Sequence, residues 1–245
     1  MLTDEEKSRY SRQLSLFGVE GQENLKKASV SIMGVGGLGS VVSLYLAAVG
    51  VGHIRLVDRD IVSLPDLNRQ ILYNMDDLGH KKVYRAAEKL MRMNPNVEIE
   101  PLDVSITEEN VDGLIDGVDI VVDCLDNWAT RLILNKACVK HQKILVHGGI
   151  QGLSGQVMVI IPGKTACLNC IIRGVRDEEG IAVLGTTASI IGSIQATETI
   201  KLITGIGKPA IGKIIYYDGY SMEFEHLEVL RSPNCEVCGS LWRHE

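Results

Sequence analysis

Proline is scarce in this sequence, and positive charge is in deficit. Only 6 of the 245 residues are proline, whereas 45% are hydrophobic. A chain of this length and composition can bury one large core and has no obvious linker, which predicts a single domain over residues 1–245. The formal net charge of −6 argues against a general nucleic-acid binder and against binding to an anionic membrane surface.

The sequence also lacks the pattern of a leader or of a membrane span. The N-terminal stretch MLTDEEKSRYSRQ is polar and mixed in charge, unlike a signal peptide. The uncharged run from Gly180 to Thr197 is interrupted by polar residues, namely Thr186, Thr187, Ser189, Ser193 and Gln195. We therefore expect a cytoplasmic protein in which this run forms a buried helix.

Apolar runs of strand length alternate with segments of helical period, which is typical of a parallel sheet with helices on both faces. Strands are predicted at 29–34, 53–58, 97–102, 118–124 and 143–148, and helices near 38–49, 80–93, 107–116 and 128–141. Thr3 and Glu6 predict a capping box that starts an N-terminal helix. The result is a Rossmann-like α/β nucleotide-binding half over about 1–150.

The pattern changes in the second half, over about 151–245. Less regular strands are predicted at 155–163, 213–219 and 221–230, with a long helix from about Thr187 to Thr204 between them. This half is expected to contain antiparallel strands.

A glycine turn lies between the first predicted strand and the first predicted helix of the sheet. In MGVGGLGS, residues 33–40, Gly34, Gly36 and Gly39 fit the pattern GxGxxG, and Asp58 ends the next strand, where a ribose-binding acid is expected. Glycines let phosphate oxygens approach backbone N–H groups at a helix N-terminus. Any nucleotide can use this geometry, so NAD, ATP and a turn that only permits close packing all remain open.

Phosphate-binding residue types follow Asp58. A polar loop carries Asn68, Arg69 and Gln70, and Lys82 lies where the next helix opens. Arginine offers a planar fork and lysine a point charge, both suited to polyanionic phosphate. A dehydrogenase that transfers hydride does not explain these residues.

Asp126 and Asn127 lie just past another predicted strand, at the edge where ligands bind in open α/β sheets. A carboxylate that faces phosphates there ordinarily holds magnesium. Each of these polar residues, taken singly, is better explained as a solvated loop charge or a helix cap. Together they describe an ATP site.

Two CxxC pairs form the most specific motif of the second half. Each pair can turn two thiolates toward one ion, and four sulfurs complete a tetrahedral structural zinc site with no open position. The four ligands would be Cys167, Cys170, Cys235 and Cys238. The alternatives are two redox pairs or unrelated free thiols. Cys124 and Cys138 are interpreted as small buried hydrophobic residues.

Several segments, in order along nearly the whole chain, resemble the ThiF/MoeB/HesA family of adenylyltransferases, prokaryotic relatives of ubiquitin-activating enzymes. They are RYSRQ (9–13), GVGGLGS, LVDRDIVSLPDLNRQ, GHKKV, DCLDN, GKPAIGKIIYYD and the two CxxC pairs. Such enzymes adenylate the C-terminal glycine of a ubiquitin-like sulfur carrier, such as the molybdopterin-synthase small subunit or its thiamin counterpart. The resemblance implies that the glycine turn holds ATP.

The resemblance also implies residue roles. The nucleotide would be received around Gly37, its ribose bound by Asp58, and magnesium held by Asp126 beside Asn127. The phosphates would be bound by the polar loop and the helix that follows it, through Asn68, Arg69 and Lys82, and Gln70 of the same loop would also contact the nucleotide. Arg12 resembles an arginine that the family supplies from the other subunit of a homodimer.

One departure from the family pattern concerns the loop after the first cysteine pair. Members that form a thioester or persulfide carry a cysteine there, whereas IIRGVRDEEGIAVLGTT, residues 171–187, has none. The pattern therefore favours an enzyme that stops at the acyl adenylate. An NAD-dependent oxidoreductase and a non-catalytic zinc-stabilised scaffold are the alternatives, and the carrier protein is not specified by the sequence.

Overall fold

The computed structural model describes residues 1–172, 180 and 182–242, and the strands of this part form one sheet. The strands are β1 Ser29–Met33, β2 His53–Val57, β3 Glu98–Leu102, β4 Ile120–Asp123, β5 Ile144–Gln151, β6 Ser154–Ile160, β7 Lys213–Asp218 and β8 Glu223–Glu228. Their order is β3-β2-β1-β4-β5-β6-β7-β8. The first five are parallel, and β6 to β8 extend the same sheet in antiparallel fashion.

Helices cover both faces of the sheet. They are α1 Asp4–Arg9, α2 Ser11–Lys27, α3 Gly37–Val49, α4 Lys82–Met93, α5 Val111–Ile115, α6 Trp128–Lys140, α7 Leu168–Ile171 and α8 Gly185–Thr204. Short 3₁₀ helices span Leu64–Asp66, Met75–Asp77 and Gly239–Trp242.

Alternate residues of the central strands feed two separate cores. In β1, Ile32 packs into the core that includes α3, α4 and α8, whereas Met33 joins the core that includes α5 and α6. Val146 and Leu145 of β5 divide in the same way. Successive side chains of a strand point to opposite faces, so a parallel sheet covered on both sides needs continuous apolar runs. That requirement explains why the strand predictions succeed here.

Helix α8 explains the uncharged run in the second half. It packs against α3 and the sheet, and Gln195, which is fully buried, donates from Nε2 to the carbonyl oxygens of Asp123 at 2.8 Å and Val146 at 3.2 Å. The prediction of a buried helix is confirmed. Among the residues that the structure describes, none of the helices combines the length and the hydrophobicity that a membrane span requires.

The capping box is confirmed, because Thr3 Oγ1 accepts from the Glu6 N–H and Glu6 accepts from the Thr3 N–H. The predicted helix over 107–116 is wrong in extent, since only Val111–Ile115 is helical. Side-chain bonds replace the first helical turn: Asn110 Oδ1 accepts from the Thr107 N–H at 2.9 Å, and Asn110 Nδ2 donates to the Ser105 carbonyl at 2.7 Å.

Candidate functional site

A cleft of about 1200 Å³ opens at the carboxyl edge of the parallel strands. The predicted nucleotide-binding residues that line it are Gly37, Asp58, Asn68, Arg69, Gln70, Lys82, Asp126 and Asn127. They come from segments up to 90 residues apart in the chain. Arg12 does not line this cleft. It is exposed near the start of α2.

The glycine turn after β1 is built on very close backbone contacts. A Cβ on Gly39 would lie 1.9 Å from the carbonyl oxygen of Gly34, and a Cβ on Gly34 would lie 2.8 Å from that of Cys124. Gly34 also has a φ of +92°, which favours glycine. Helix α3 begins within this glycine segment, at Gly37, and no side chain caps it. Its first N–H groups are thus available for an anion.

Asp58 braces the glycine turn. Its Oδ2 accepts from the Val35 N–H at 2.8 Å, and its Oδ1 accepts from the Asp60 N–H at 2.8 Å. Burial raises the pKa of Asp58 above its ordinary value, although these two backbone hydrogen bonds oppose the shift. Each oxygen has a second lone pair, so the carboxylate can still accept from ribose hydroxyls.

Asp66 organises the polar loop, and sequence reasoning missed it. Its Oδ2 accepts from the Ser63 N–H at 2.9 Å and from Ser63 Oγ at 2.8 Å, while its Oδ1 accepts from Gln70 Nε2 at 2.8 Å. Arg69 Nη2 and Lys82 Nζ lie 3.5 and 3.6 Å from the carboxylate. Burial alone would raise the pKa of Asp66, but the Ser63 bonds and the two cations lower it overall.

Lys82 is a buried cation at the wall of the cleft. Its side chain is only 6% exposed, and its Nζ lies between Asp66 and Asp60, 3.5 Å from the latter. Arg69 is about one third exposed and donates from Nη1 to the Pro65 carbonyl at 2.8 Å. Two cations therefore line the same cleft as the start of α3, and both would attract phosphate oxygens.

Gln70 offers an unused acceptor in the cleft. The residue is 97% buried, and its Nε2 is committed to Asp66. Among the described residues, its Oε1 has no hydrogen-bond partner. Buried polar atoms of side chains normally have a partner, so this oxygen points to a donor that a bound molecule would bring.

Asp126 and Asn127 follow β4 and differ in role. Asn127 caps α6, because its Oδ1 accepts a hydrogen bond from the Thr130 N–H at 2.9 Å. The structure thus shows Asn127 as a helix cap, one of the two explanations that the sequence left open. Asp126 is exposed and accepts from Asn127 Nδ2 at 3.2 Å. A carboxylate held open to a cleft in this way suits a divalent cation that prefers oxygen.

A buried charged group at the wall of the cleft, to which Arg131 belongs, was not predicted. His147 Nδ1 donates to Asp123 Oδ2 at 2.7 Å, and Arg131 Nε lies 3.8 Å from Asp123 Oδ1. Burial lowers the pKa of His147, although the Asp123 carboxylate opposes the shift. One feature of the sequence could have indicated this group, namely that Asp123 and His147 are polar residues inside apolar strand segments.

The four predicted cysteine ligands converge. Their sulfurs all lie within 4.8 Å of one another, with Sγ–Sγ distances of 3.7 Å between Cys167 and Cys235 and 3.4 Å between Cys170 and Cys238. A tetrahedral ion with metal–sulfur bonds of about 2.3 Å requires sulfurs about 3.8 Å apart. The cluster can therefore bind a metal and joins the segment after β6 to the C-terminal region.

Comparison with known proteins places this architecture in a family. A model of the ThiF family matches residues 10–237. This chain belongs to the ThiF family. It is 40% identical to a heterocyst HesA protein of Trichormus variabilis, covering 99% of this chain and 93% of that protein. It is also 40% identical to the molybdopterin-synthase adenylyltransferase of Escherichia coli K12, covering 97% and 98%.

A crystal structure of E. coli MccB with ATP has the same fold. Its TM-score is 0.88 at 27% identity, and the match covers 97% of this chain and 75% of MccB. The fold and the family resemblance predicted from the sequence are thus confirmed. In this ThiF-family chain the loop that lacks a cysteine includes residues 173–179 and 181, which lie outside the described residues.

We expect Asp66→Asn to destabilise the fold by about 3 kcal/mol at pH 7, because it leaves Lys82 and Arg69 short of a buried counter-charge. The pKa of Asp66 is lower in the folded protein than in the unfolded chain, where it is roughly 3.9. The charge of Asp66 therefore stabilises the fold fully at pH values above the unfolded-state pKa. This contribution is lost as the pH falls through the folded-state pKa. Urea unfolding across pH should therefore show the difference from wild type shrinking below about pH 4.

Asp4→Asn is the control, since the Asp4 side chain is 99% exposed. It should change stability by less than about 1 kcal/mol. A wild-type advantage over Asp66→Asn that grew on acidification would contradict the assignment of Asp66 as a charged organiser of the loop.

Proposed function

We propose that residues 1–245 form a single ThiF-type adenylation domain that activates the C-terminal glycine carboxylate of a ubiquitin-like sulfur carrier ending in Gly-Gly. The supporting observation is the grouping of the α3 N-terminus, Arg69, Lys82 and Asp126 around one cleft. The names of two relatives at 40% identity support it further, the E. coli enzyme and the sulfur carrier protein adenylyltransferase of Thermus thermophilus. ATP as a substrate fits the predicted cytoplasmic location.

The proposed reaction is a displacement at the α-phosphorus of ATP. A carboxylate oxygen of the carrier attacks this phosphorus, the bond to the oxygen that bridges to the β-phosphate breaks, and pyrophosphate leaves with the electron pair. The products are the acyl adenylate and pyrophosphate. The carboxylate is already ionised at neutral pH, so no general base is needed.

Each group of the cleft then has a role. Asp58 accepts from the ribose hydroxyls, while Asn68, Arg69 and Lys82 bind phosphates, and the two cations among them offset the charge that develops on pyrophosphate. Gln70 would accept through Oε1 from a donor group of the nucleotide. Asp126, beside Asn127, would hold magnesium, which when bound adds positive charge at the phosphate oxygens. Catalysis in this scheme consists of positioning and charge neutralisation.

Asp126→Ala should lower carrier-dependent exchange of labelled pyrophosphate into ATP by at least about 100-fold, because charge in the transition state loses its metal. The assay would use the molybdopterin-synthase small subunit and its thiamin counterpart in parallel. Asp116→Ala is the matched control, since Asp116 is exposed at the end of α5 and does not line the cleft. Undiminished exchange in Asp126→Ala would overturn the assignment.

We further propose that the working enzyme is a homodimer in which Arg12 completes the cleft of the neighbouring chain. Arg12 is exposed and does not line the cleft of its own chain. Large apolar side chains are exposed on the same helix, at Leu16 and Val19, and around the polar loop, at Leu64 and Ile71. A second copy would cover these side chains, and two-fold symmetric dimers are the commonest assembly of soluble chains.

Mixing two inactive variants, Arg12→Ala and Asp126→Ala, tests this arrangement. If Arg12 acts in trans, each mixed dimer contains one site with both changes and one intact site, so exchange activity should return to about one quarter of wild type at equal mixing. Subunit exchange is verified with two affinity tags. No recovery after verified exchange would show that Arg12 does not act across a dimer.

Zinc is the metal we propose for Cys167, Cys170, Cys235 and Cys238, because four thiolates in a closed tetrahedron form a structural site. Elemental analysis should find about one zinc per chain. Chelation should lower the melting temperature before it weakens binding of an ATP analogue, since these four cysteines do not line the cleft. Metal-free protein of full stability would require another explanation for the cluster.

A further inference from the structure

The C-terminal end of α3 is capped by side chains from other segments of the chain. The carbonyl oxygen of Val49 accepts from Gln13 Nε2 and from Gln22 Nε2, both at 2.8 Å. The carbonyl oxygen of Ala47 accepts from Asn94 Nδ2 at 2.7 Å. The last carbonyl oxygens of a helix need partners from outside it. Helix α3 thus ends on amide groups that α2 and the residue after α4 provide.

These amide side chains also bond to one another and to Tyr10. Gln13 Nε2 donates to Gln22 Oε1 at 2.7 Å, and Asn94 Nδ2 donates to the Tyr10 hydroxyl at 2.9 Å. Tyr10, Gln22 and Asn94 are at most 3% exposed. A Cβ on Gly50, the residue after α3, would lie 2.5 Å from the Tyr10 hydroxyl oxygen. We call Tyr10, Gln13, Gln22 and Asn94 the anchor cluster.

Arg12 lies between two members of the anchor cluster. Tyr10 precedes it by two residues, and Gln13 follows it directly. The carbonyl oxygen of Arg12 also accepts from Ser15 Oγ at 3.0 Å, whereas the residue itself is exposed. The backbone at residue 12 is therefore fixed relative to α3, while the guanidinium is left to contact a group outside this chain.

Helix α3 connects the anchor cluster to the nucleotide-binding end of the cleft. It begins at Gly37 in the glycine segment and ends at Val49, whose carbonyl oxygen the cluster caps. Its 13 residues span about 20 Å, and it packs against α4 and α8. One packed helix therefore links the turn proposed to receive ATP in its own chain with the segment that carries Arg12.

We propose that Tyr10 and Gln13, held in the anchor cluster, are positioning residues that direct Arg12 of one chain into the cleft of the other. This inference rests on the proposed function and on the proposed homodimer. A backbone that is already ordered removes part of the entropy cost of bringing an arginine to a phosphate. Neither Tyr10 nor Gln13 lines the cleft of its own chain, so each would act through Arg12.

The other explanation of the cluster is a cap that serves only α3. Such a cap would affect the cleft of its own chain, through the glycine turn at the opposite end of the helix. An anchor for Arg12 would instead affect the cleft of the neighbouring chain. The two explanations therefore place the defect of a variant in different sites of the dimer.

Gln13→Leu removes the hydrogen bonds from Gln13 to Gln22 and Val49. We expect the maximal rate of pyrophosphate exchange with the molybdopterin-synthase small subunit, or its thiamin counterpart, to fall about tenfold, because Arg12 is displaced. The KM for ATP should stay within about twofold of wild type, since the nucleotide-binding residues are untouched. Lys143→Met is the matched control: it removes a bond of 2.7 Å to the Val118 carbonyl away from the cleft and should exchange at the wild-type rate.

Mixing Gln13→Leu with Asp126→Ala locates the defect. In a mixed dimer the site with an intact Asp126 receives Arg12 from a chain with an intact anchor cluster. After verified subunit exchange at equal mixing, activity should be slightly more than about one quarter of wild type, whereas a defect within the same chain would give about one twentieth. In an Arg12→Ala background, Gln13→Leu should cause no further loss.

Tyr10→Phe provides a second variant that removes only the hydroxyl group. Asn94 keeps its bond to the Ala47 carbonyl, so the fold is disturbed less. Exchange should fall about threefold, and mixing with Asp126→Ala should give about one third of wild type, against about one sixth for a defect within the same chain.

The outcomes separate the inference from the proposals beneath it. Absence of exchange by the wild type with both carriers would overturn the proposed function, and this inference with it. Recovery in the mixture of Arg12→Ala with Asp126→Ala, combined with the values of a same-chain defect for the Tyr10 and Gln13 variants, would overturn the anchor role alone. Wild-type exchange by both of these variants would do the same.

Discussion

Close backbone approach at the glycine turn fixes the position of the other groups in the cleft. The turn contacts itself and the end of β4 so tightly that a Cβ on Gly39 or Gly34 would overlap a carbonyl oxygen. Helix α3 can then start where β1 ends, with its N–H groups at the carboxyl edge of the sheet. The strand order then places the other polar groups of the cleft on either side of the turn, with Asp58 after β2 on one side and Asp126 after β4 on the other.

The charges around this turn are arranged before any ligand arrives. Lys82 is almost fully buried, and such a cation is costly unless anions accompany it. Asp60 and Asp66 supply them at 3.5 and 3.6 Å, and Asp66 also holds Gln70 and the loop that carries Arg69. The cations are therefore positioned by the fold, so a polyanion meets an oriented site that needs little rearrangement.

The strands and the cysteine cluster could be predicted because their signals are local, as continuous apolar runs and paired CxxC spacings. Asp66 and the Asp123–His147 pair could not, because their roles depend on contacts that only the fold creates. His147 and Asp123 are 24 residues apart and meet because β4 and β5 are neighbours. In sequence, a lone histidine inside an apolar strand resembles a satisfied core residue. Helix α5 is shorter than predicted because of a local contact: Asn110 forms side-chain hydrogen bonds with nearby backbone groups, and these bonds compete with the helix.

The environment of the cysteines limits what chemistry can follow adenylation in the described part of the chain. Cys124 lines the cleft, but it is only 6% exposed, and its thiol donates to Gln195 Oε1 at 3.8 Å. Cys124 and Cys138 are both buried, which confirms their interpretation as small buried hydrophobic residues, and this burial raises the pKa of each thiol. The other four cysteines converge on one another, and the loop over 171–187 contains none. Since the thiolate is the reactive form of cysteine, the buried thiols of Cys124 and Cys138 are poor nucleophiles. In the proposed reaction, sulfur therefore has to reach the acyl adenylate on a group other than these cysteines.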